Sequence, residues 1–434
     1  MDLKTRRVMR GVVVIGALAL VAAGCGSSKK KAADTTVAAE TSVAAPDTTV
    51  AAPETSVAAP ETTAATAAAP PDTTVAGAAE TTVAGAAGPG ANLKKVKLQL
   101  QWVTQAQFAG YFAAVDQGFY KAQGLDVEIK EGGVDIVPQN ELAQGNVDYA
   151  VSWVPKALAS REGGANITDV AQIFQRSGTL QVSWKDSNIT GPADLKGKKV
   201  GNWGFGNEYE LFAGMTKAAI DPSKDVTLVQ QQFDMQALLK REIDAAQAMR
   251  YNEYAQMLEA KDAKTGKLHT ADQLNVIDWN DQGTAMLQDA IWANTDKLKD
   301  AAYQDQTVKF IKGSMQGWIF CRDNAAKCVD IVVAKGSKLG KSHQAWQMNE
   351  INKLIWPSPG GIGLIDKALW DQTVQVAQNT KNADGKTVLT KAPDATAYDN
   401  TYAQKALDEW KAAGVDVIGS GFAPATVTLN EGGA

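Results

Sequence analysis

The sequence predicts an α/β protein built from two lobes, each with a parallel sheet covered by helices on both faces. Apolar stretches of strand length alternate with stretches of helical periodicity, through two complete cycles between residues 96 and 278. Strands joined by helices of roughly 10 to 15 residues pair in parallel, because a parallel connection needs a crossover of that length. Residues 93–434 provide enough chain for two lobes of ordinary size.

The first cycle covers residues 96–184. Its predicted strands are 96–101, 125–130, 148–152, 167–174 and 180–184, and its predicted helices are 108–123, 136–144 and 154–162. The second cycle begins with a turn into a strand at 194–201. Helices at 208–219, 235–242 and 253–260 then alternate with strands at 226–231, 245–249 and 275–278. From about Gln288 onward the pattern is mainly helical.

The first 25 residues have the pattern of an export signal. Basic residues precede a charge-free run over 11–24, which is shorter than the about 20 residues that span a bilayer. The run ends in Val-Ala-Ala-Gly-Cys at 21–25, which resembles a bacterial lipobox. We therefore expect Cys25 to be lipidated and to anchor the mature protein outside the cytoplasm. An ordinary signal peptide with an incidental cysteine is the alternative.

Residues 26–92 are rich in Ala, Thr and Pro. A seven-residue unit, [Asp/Glu]-Thr-[Ser/Thr]-Val-Ala-Ala-Pro, recurs from Glu40, Asp47 and Glu54. The period suggests a coiled coil, but each unit ends in Pro and holds one branched apolar residue, so neither a helix nor a core can form. The segment is predicted to be a disordered tether with a root-mean-square reach of roughly 40 to 50 Å.

The remaining cysteines, Cys321 and Cys328, are candidates for a disulfide, because an exported protein folds in an oxidising compartment. On one continuous helix a spacing of seven would place their Cα atoms about 10 Å apart, beyond disulfide reach. A bridge therefore requires a helix break, which residues 322–325 (Arg-Asp-Asn-Ala) can provide. Two buried free thiols are the alternative.

Composition argues against several classes of function. The net charge is −5, which gives no basic surface for nucleic acid. There are two histidines, His269 and His343, in different contexts, so a zinc site or a histidine-based triad is not expected. No nucleotide-binding fingerprint or nucleophile motif is present. We predict no catalytic residue, no metal and no cofactor.

Aromatic residues stand at the ends of five predicted strands. In open α/β sheets, ligands bind outside the carboxyl ends of the strands. A cleft walled by aromatic rings from both lobes would suit a flat, uncharged or weakly charged heterocycle held by stacking. For each ring singly, a role in the core or in a lid is the alternative. The five residues are Trp102, Trp153, Trp203, Tyr251 and Trp279.

An ordered set of short segments resembles the NMT1/THI5-like solute-binding proteins through most of residues 96–380. The segments are Leu-Gln-Trp-Val at 100–103, Gln-Phe-Ala-Gly-Tyr-Phe at 107–112, Gln-Gly-Phe-Tyr at 117–120, Gly-Leu-Asp-Val at 124–127, Asp-Leu-Lys-Gly-Lys-Lys-Val-Gly at 194–201 and Gly-Asn-Glu-Tyr-Glu at 206–210. The resemblance implies the type II periplasmic binding protein fold. Two doubly wound lobes, 93–183 plus 284–434 and 184–283, would be joined by two crossover strands near Ser183 and Gly283, with a ligand cleft between them.

Polar residues near the strand ends are the candidates for orienting a ligand. The segment Asn207, Glu208 and Tyr209 follows a Gly-rich turn and opens a helix, whose N-terminus exposes N–H donors. Glu208 could accept hydrogen bonds from an aminopyrimidine; complementing the helix dipole is the alternative. Further candidates are Gln105, Gln107, Asn252 and, within the family-like segment, Phe108 and Tyr111. Phe108 stands where several thiamine-pyrimidine binders of the family carry His.

The resemblance implies a monomer that captures a small molecule for the permease and ATPase subunits of an ABC importer. The leading hypothesis for the ligand is a thiamine-precursor pyrimidine, of the hydroxymethyl or formylamino type, or a related aromatic heterocycle. Riboflavin and an alkylsulfonate- or nitrate-type anion are alternatives. Some cytosolic members of the superfamily instead synthesise the pyrimidine, with an active-site His and a Cys-rich motif. This chain lacks the Cys cluster, so an enzyme is not expected.

Overall fold

The computed structural model describes residues 92–381 and 385–434. The predicted signal peptide with Cys25, and the predicted tether up to residue 91, lie outside these residues. The chain divides after Ala79 into two units, and the described residues belong to the second, Glu80–Ala434. Within the described ranges, no helix combines the length and the apolar character needed to cross a membrane.

The strands of the described ranges form two five-stranded sheets. They are β1 Lys94–Gln99, β2 Leu125–Lys130, β3 Tyr149–Trp153, β4 Ile167–Gln172, β5 Thr179–Trp184, β6 Lys199–Asn202, β7 Thr227–Gln230, β8 Ala245–Met249, β9 Leu274–Asp278 and β10 Asp289–Asn294. The α-helices are α1 Ala109–Asp116, α2 Phe119–Ala122, α3 Pro138–Ala143, α4 Val154–Glu162, α5 Tyr209–Lys217, α6 Gln236–Leu239, α7 Glu253–Glu259, α8 Trp279–Gln282, α9 Ala301–Asp323, α10 Ala325–Ala334, α11 Lys341–Ile355, α12 Lys367–Asn379 and α13 Thr401–Ala412.

Each sheet is mixed, with one antiparallel strand, where the sequence predicted parallel pairing throughout. The first sheet has the order β2-β1-β3-β10-β4 and the second has the order β7-β6-β8-β5-β9. Strand β10 runs antiparallel to β3 and β4, and β5 runs antiparallel to β8 and β9. The antiparallel strand is in each case the first one after the chain has crossed from the other lobe. In each sheet, the strand that follows a crossing is therefore the one that runs opposite to the other four.

Two details of the predicted connections are wrong. The prediction placed the first crossing near Ser183, but β5 already belongs to the second sheet, so the chain crosses at residues 173–178. The second crossing, at 283–288, agrees with the expected position near Gly283. The region after Gln288 was predicted to be mainly helical, and it is, but the prediction contained no strand there and missed β10. This strand is a short apolar run buried on both faces, a pattern that periodicity does not separate from a buried helix.

The first lobe is organised around the close approach of α9 to α1. A Cβ atom at Gly317 would lie 2.0 Å from the carbonyl oxygen of Gly110, and a Cβ atom at Gly110 would lie 2.2 Å from the ring of Trp318. Only glycine permits this separation of the two helices. Trp318 is fully buried and packs edge-on against Tyr111, with ring centroids 5.5 Å apart.

Cys321 and Cys328 form a disulfide in the structure, with their Cα atoms 5.5 Å apart. Helix α9 ends at Asp323 and α10 begins at Ala325. Asn324 between them has non-helical dihedrals, φ −134° and ψ 51°. This break shortens the Cα separation from the value of a continuous helix and brings both sulfurs within bonding distance.

Candidate functional site

A cavity of about 340 Å³ lies between the two sheets, at the carboxyl ends of the parallel strands. The first lobe contributes the loop after β1 and the junction of β3 with α4. The second lobe contributes the loop after β6, the loop after β7 and the junction of β8 with α7. The wall also includes exposed apolar side chains, Val134, Val137 and Phe205.

Four of the five predicted strand-end aromatics line this cavity: Trp102, Trp153, Trp203 and Tyr251. A fifth ring, Phe233, was not predicted. Its centroid lies 4.7 Å from that of Trp102 in the opposite lobe and 6.0 Å from that of Trp203. Phe233 follows β7, so the rule that ligands meet strand ends would have found it if it had been applied to this short strand.

Three predicted site residues lie in the core rather than in the cavity wall. Trp279 is fully buried against Gly214, because it begins α8 and the Asp278 side chain caps that helix by accepting from Asn280 N–H. The helical turn directs the ring away from the cleft. Phe108 and Tyr111 are likewise buried in the first-lobe core, where the ring of Tyr111 packs against Trp318 of α9.

Among the predicted polar residues, Gln105, Asn207, Tyr209 and Asn252 line the cavity, and Glu208 does not. The Glu208 carboxylate accepts a 3.0 Å hydrogen bond from the Gly206 N–H, within the tight turn that precedes α5. Burial raises its pKa. The turn uses positive φ angles at three successive residues, 204–206, two of which are glycines, and it folds the carboxylate back onto its own backbone.

A buried carboxylate that the sequence prediction missed lies behind the first-lobe wall. Asp289 begins β10 directly opposite Trp153 in the register. It accepts hydrogen bonds from Gln101 Nε2 at 2.6 Å, Trp153 Nε1 at 2.8 Å and Gln107 Nε2 at 2.9 Å. All three donors line the cavity, whereas Asp289 itself does not. Burial raises its pKa to about 7, although the three hydrogen bonds act in the opposite direction. Asp289 therefore positions the wall residues.

A second carboxylate, Glu253, faces the cavity from the second lobe. Its Oε2 accepts from Met249 N–H at 2.9 Å and its Oε1 accepts from Asn252 Nδ2 at 2.7 Å. Burial raises its pKa to about 6. Each carboxylate oxygen has two lone pairs, so Glu253 retains acceptor capacity. Asn252 was a predicted site residue, and the adjacent Glu253 was not.

His343 connects this carboxylate to the other lobe. It lies on α11, which packs against α9 and α10 and accepts from Ala106 N–H through Gln344 Oε1. His343 Nε2 lies 2.9 Å from Asn252 Oδ1, and His343 Nδ1 lies 2.8 Å from Glu259 Oε1. Both ring nitrogens face acceptors, so both donate when the imidazole carries two protons. The chain of contacts fixes the side chain of Asn252 next to the cavity.

Lys156 supplies a cation to the wall, and the sequence analysis did not identify it. Its Nζ donates to Asn207 Oδ1 in the opposite lobe at 3.2 Å and lies 5.7 Å from the centre of the Trp153 ring. Loss of solvent lowers its pKa to about 8, against the attraction of Glu208 and Asp289. Two interlobe contacts, Lys156 with Asn207 and His343 with Asn252, thus involve residues of the cavity wall.

Among the residues that the structure describes, three buried polar atoms of cavity-lining side chains have no hydrogen-bond partner. They are the acceptors Gln105 Oε1 and Gln139 Oε1 and the donor Trp203 Nε1. Unpaired buried polar atoms cost free energy. None of the three atoms is accessible in this arrangement of the side chains, so a ligand could reach them only if side chains of the wall shift. No group of three or more His, Cys, Asp or Glu that could hold a metal occurs in residues 92–381 and 385–434.

The two-sheet architecture is that of the periplasmic binding proteins. A periplasmic sulfonate-binding protein from Methylobacillus flagellatus KT superposes with a TM-score of 0.52 at 17% identity, covering 78% of this chain and 99% of that one. A protein from Bordetella bronchiseptica RB50 also gives a TM-score of 0.52, at 18% identity, covering 73% of this chain and 98% of that one. At these identities the likeness shows the fold.

The chain belongs to the NMT1/THI5-like family, whose model matches residues 105–327, just over half of the sequence. It is 31% identical over 153 residues to a protein assigned to thiamine biosynthesis in Haemophilus influenzae. The aligned residues make up 35% of this chain and 49% of that protein. It is 24% identical over 316 residues to a riboflavin-binding protein of Chloroflexus aurantiacus, 70% of this chain and 86% of that protein.

A formylaminopyrimidine-binding protein of Halalkalibacterium halodurans is 25% identical over 145 residues, 33% of this chain and 44% of that protein. This match and the Haemophilus one each span less than half of the relative's length. An enzyme is also among the relatives: a hydroxymethylpyrimidine phosphate synthase of Aspergillus parasiticus is 25% identical over 190 residues, 42% of this chain and 53% of that protein.

Proposed function

We propose that this protein is the solute-binding component of an ABC importer and that it captures a one-ring aminopyrimidine of the thiamine-precursor type. The observation that carries the proposal is the carboxylate of Glu253, which faces a cavity walled by aromatic rings of both lobes. Such a cavity between two lobes is closed by the ligand itself, since a ligand that contacts both walls favours the arrangement in which they meet.

The polar groups of the cavity complement an aminopyrimidine. Its exocyclic amino group donates two N–H bonds, for which the Glu253 carboxylate is the acceptor at the cavity. Small shifts of the wall side chains on binding would bring the unpaired acceptors Gln105 Oε1 and Gln139 Oε1 to the amino group and the unpaired donor Trp203 Nε1 to a ring nitrogen. Stacking on the flanking rings adds about 0.5 to 1.5 kcal/mol per pair beyond the burial of area.

Size and charge favour this ligand over the anionic alternatives. A volume of about 340 Å³ is at the lower end of the 300 to 1,000 Å³ that is usual for small-molecule pockets. A sulfonate or nitrate would meet the buried carboxylate of Glu253, and Lys156 is the only basic residue that lines the cavity within residues 92–381 and 385–434. Repulsion by a buried carboxylate that has no cationic partner outweighs attraction by one amine that already binds Asn207.

Riboflavin is the second candidate. The alignment with the riboflavin-binding relative is the longest of the four described above and covers most of both chains. The same aromatic walls would stack on an isoalloxazine ring, and riboflavin is likewise uncharged.

We propose that the protein is not an enzyme, although a synthase is among its relatives. Neither histidine lines the cavity: His343 is bound between Glu259 and Asn252, and His269 packs edge-on against Trp184. The proposal places the mature protein outside the cytoplasm as a monomer, anchored by a lipid on Cys25 and serving separate permease and ATPase subunits. Membrane retention that survives Cys25→Ser would overturn the anchor.

The test of the function is calorimetry on the purified protein with hydroxymethyl- and formylaminopyrimidine, riboflavin, taurine and nitrate. Native mass spectrometry of freshly purified protein, without added ligand, runs in parallel. We expect the pyrimidines to bind with a dissociation constant of about 1 μM or tighter, equivalent to about −8 kcal/mol. Binding of the anions alone, or formation of a pyrimidine product on incubation with pyridoxal phosphate and iron, would refute the proposal.

A further inference from the structure

A second, smaller pocket adjoins the cavity. This outer pocket has a volume of about 170 Å³ and shares Trp102, Gln105, Phe233 and Asn252 with the cavity wall. Its other lining residues, among them Thr104, Glu131 and Lys338, do not line the cavity. The four shared residues therefore stand between the two spaces.

The largest of the shared side chains are in contact with each other. The rings of Trp102 and Phe233 lie 4.7 Å apart at 51°, within the range of a favourable aromatic pair. One ring comes from the loop after β1 and the other from the loop after β7, so each lobe supplies half of the partition.

The Trp102 half is held firmly by its backbone. The Gly132 N–H donates to Trp102 O at 2.9 Å, and a Cβ atom at Gly132 would lie only 2.4 to 2.5 Å from the backbone of residues 100–102. The Glu131 carboxylate accepts from Thr104 N–H at 2.6 Å. Because these contacts hold the backbone at Trp102 in place, removal of the Phe233 side chain is the change that opens the partition.

We infer that the Trp102–Phe233 pair determines ligand size: it confines the bound ring to the cavity and keeps larger ligands out of the outer pocket. This inference rests on the proposed function insofar as the cavity binds an aromatic heterocycle. A single pyrimidine ring needs only the inner space. Riboflavin, with three fused rings and a polyol chain, is larger, and we expect it to extend into the outer pocket and to separate the pair.

The test is Phe233→Ala, with riboflavin and hydroxymethylpyrimidine as probes in calorimetry. Phe205→Ala is the matched control, because Phe205 is also an aromatic residue of the second lobe that lines the cavity but not the outer pocket. Removing Phe233 should strengthen riboflavin binding at least about ten-fold over wild type, and Phe205→Ala should not. Phe233→Leu, which retains more of the packing, should give an intermediate gain, and melting curves check that each variant is folded.

Riboflavin binding that is unchanged or weaker in folded Phe233→Ala and Phe233→Leu would overturn the inference. So would a wild-type protein that binds riboflavin as tightly as the pyrimidine. The outcomes remain distinct from those for the function. A wild type that binds no pyrimidine refutes the proposed function, whereas a gain of riboflavin binding specific to Phe233 supports the partition independently of it.

Discussion

Each lobe places one buried carboxylate at the cleft, and the two are bound differently. Asp289 of the first lobe accepts from three side chains, and all three of these line the cavity. Glu253 of the second lobe accepts from one backbone N–H and one amide, and it faces the cavity itself. The first carboxylate holds the wall in place, and the second is available to a ligand.

The comparison shows that position near a cleft does not define the role of a carboxylate. Burial raises the pKa of Asp289 to about 7 and that of Glu253 to about 6, so both titrate well above an ordinary carboxyl group. The two carboxylates differ in the groups that donate hydrogen bonds to their oxygens. They also differ in whether the carboxylate reaches the cavity surface.

The largest expected effect is on ligand affinity in Glu253→Gln. Replacing the anion by an amide weakens the hydrogen bonds from the ligand amino group and should reduce pyrimidine affinity by about 50-fold or more. Stability should fall by about 1 kcal/mol, because the amide oxygen can still accept from Met249 N–H and only Asn252 Nδ2 loses its acceptor. Calorimetry measures the first quantity and urea unfolding the second. The matched control is Glu208→Gln, a buried glutamate outside the cavity wall. If both variants lose affinity equally, Glu253 has no special role.

The next effect is on the positioning carboxylate. In Asp289→Asn the new amide group must face at least one of the three N–H donors and leave it unpaired. The free energy of unfolding should fall by about 1 to 3 kcal/mol, and affinity should fall about ten-fold as the wall loosens. The free energy of unfolding should thus fall more than in Glu253→Gln, and the ligand affinity should fall less. A variant with wild-type unfolding and wild-type affinity would show that Asp289 does not support the wall.

The smallest effect is a pH dependence. The pKa of Glu253 is raised to about 6, so its carboxylate accepts hydrogen bonds fully above that pH and becomes protonated below it. Wild-type affinity should therefore decline several-fold relative to Glu253→Gln as the pH falls from about 7 to 5. Taking the ratio of the two proteins removes the titration of the ligand and of Asp289. A ratio that is constant over this range would show that Glu253 does not contribute as an anion.

The sequence predicted the two lobes and much of the aromatic wall because both follow from local patterns. Alternating strands and helices imply the sheets, and strand ends identified Trp102, Trp153, Trp203 and Tyr251. Trp279 was misplaced because a capped helical turn begins at that residue and redirects its ring. The residue type at a strand end does not reveal such a turn.

The polar half of the site was harder to predict. Asp289 was missed because no strand was predicted at β10, and its partners come from β3 and from the loop after β1, more than 100 residues away in the chain. In the sequence, Glu253 has the pattern of an acidic residue in the first turn of a helix, and Lys156 has the pattern of an exposed lysine. Their roles depend on which side chains the two lobes bring together, and single-sequence periodicity carries no information on that.

The most direct test of the central claim is a crystal structure with hydroxymethylpyrimidine bound. The account predicts the ring between the aromatic walls of the two lobes, with its amino nitrogen about 3 Å from a carboxylate oxygen of Glu253. It also predicts that Asp289 keeps its three protein donors in the complex. A pyrimidine bound elsewhere, or bound in the cavity with its amino group directed away from Glu253, would contradict the account.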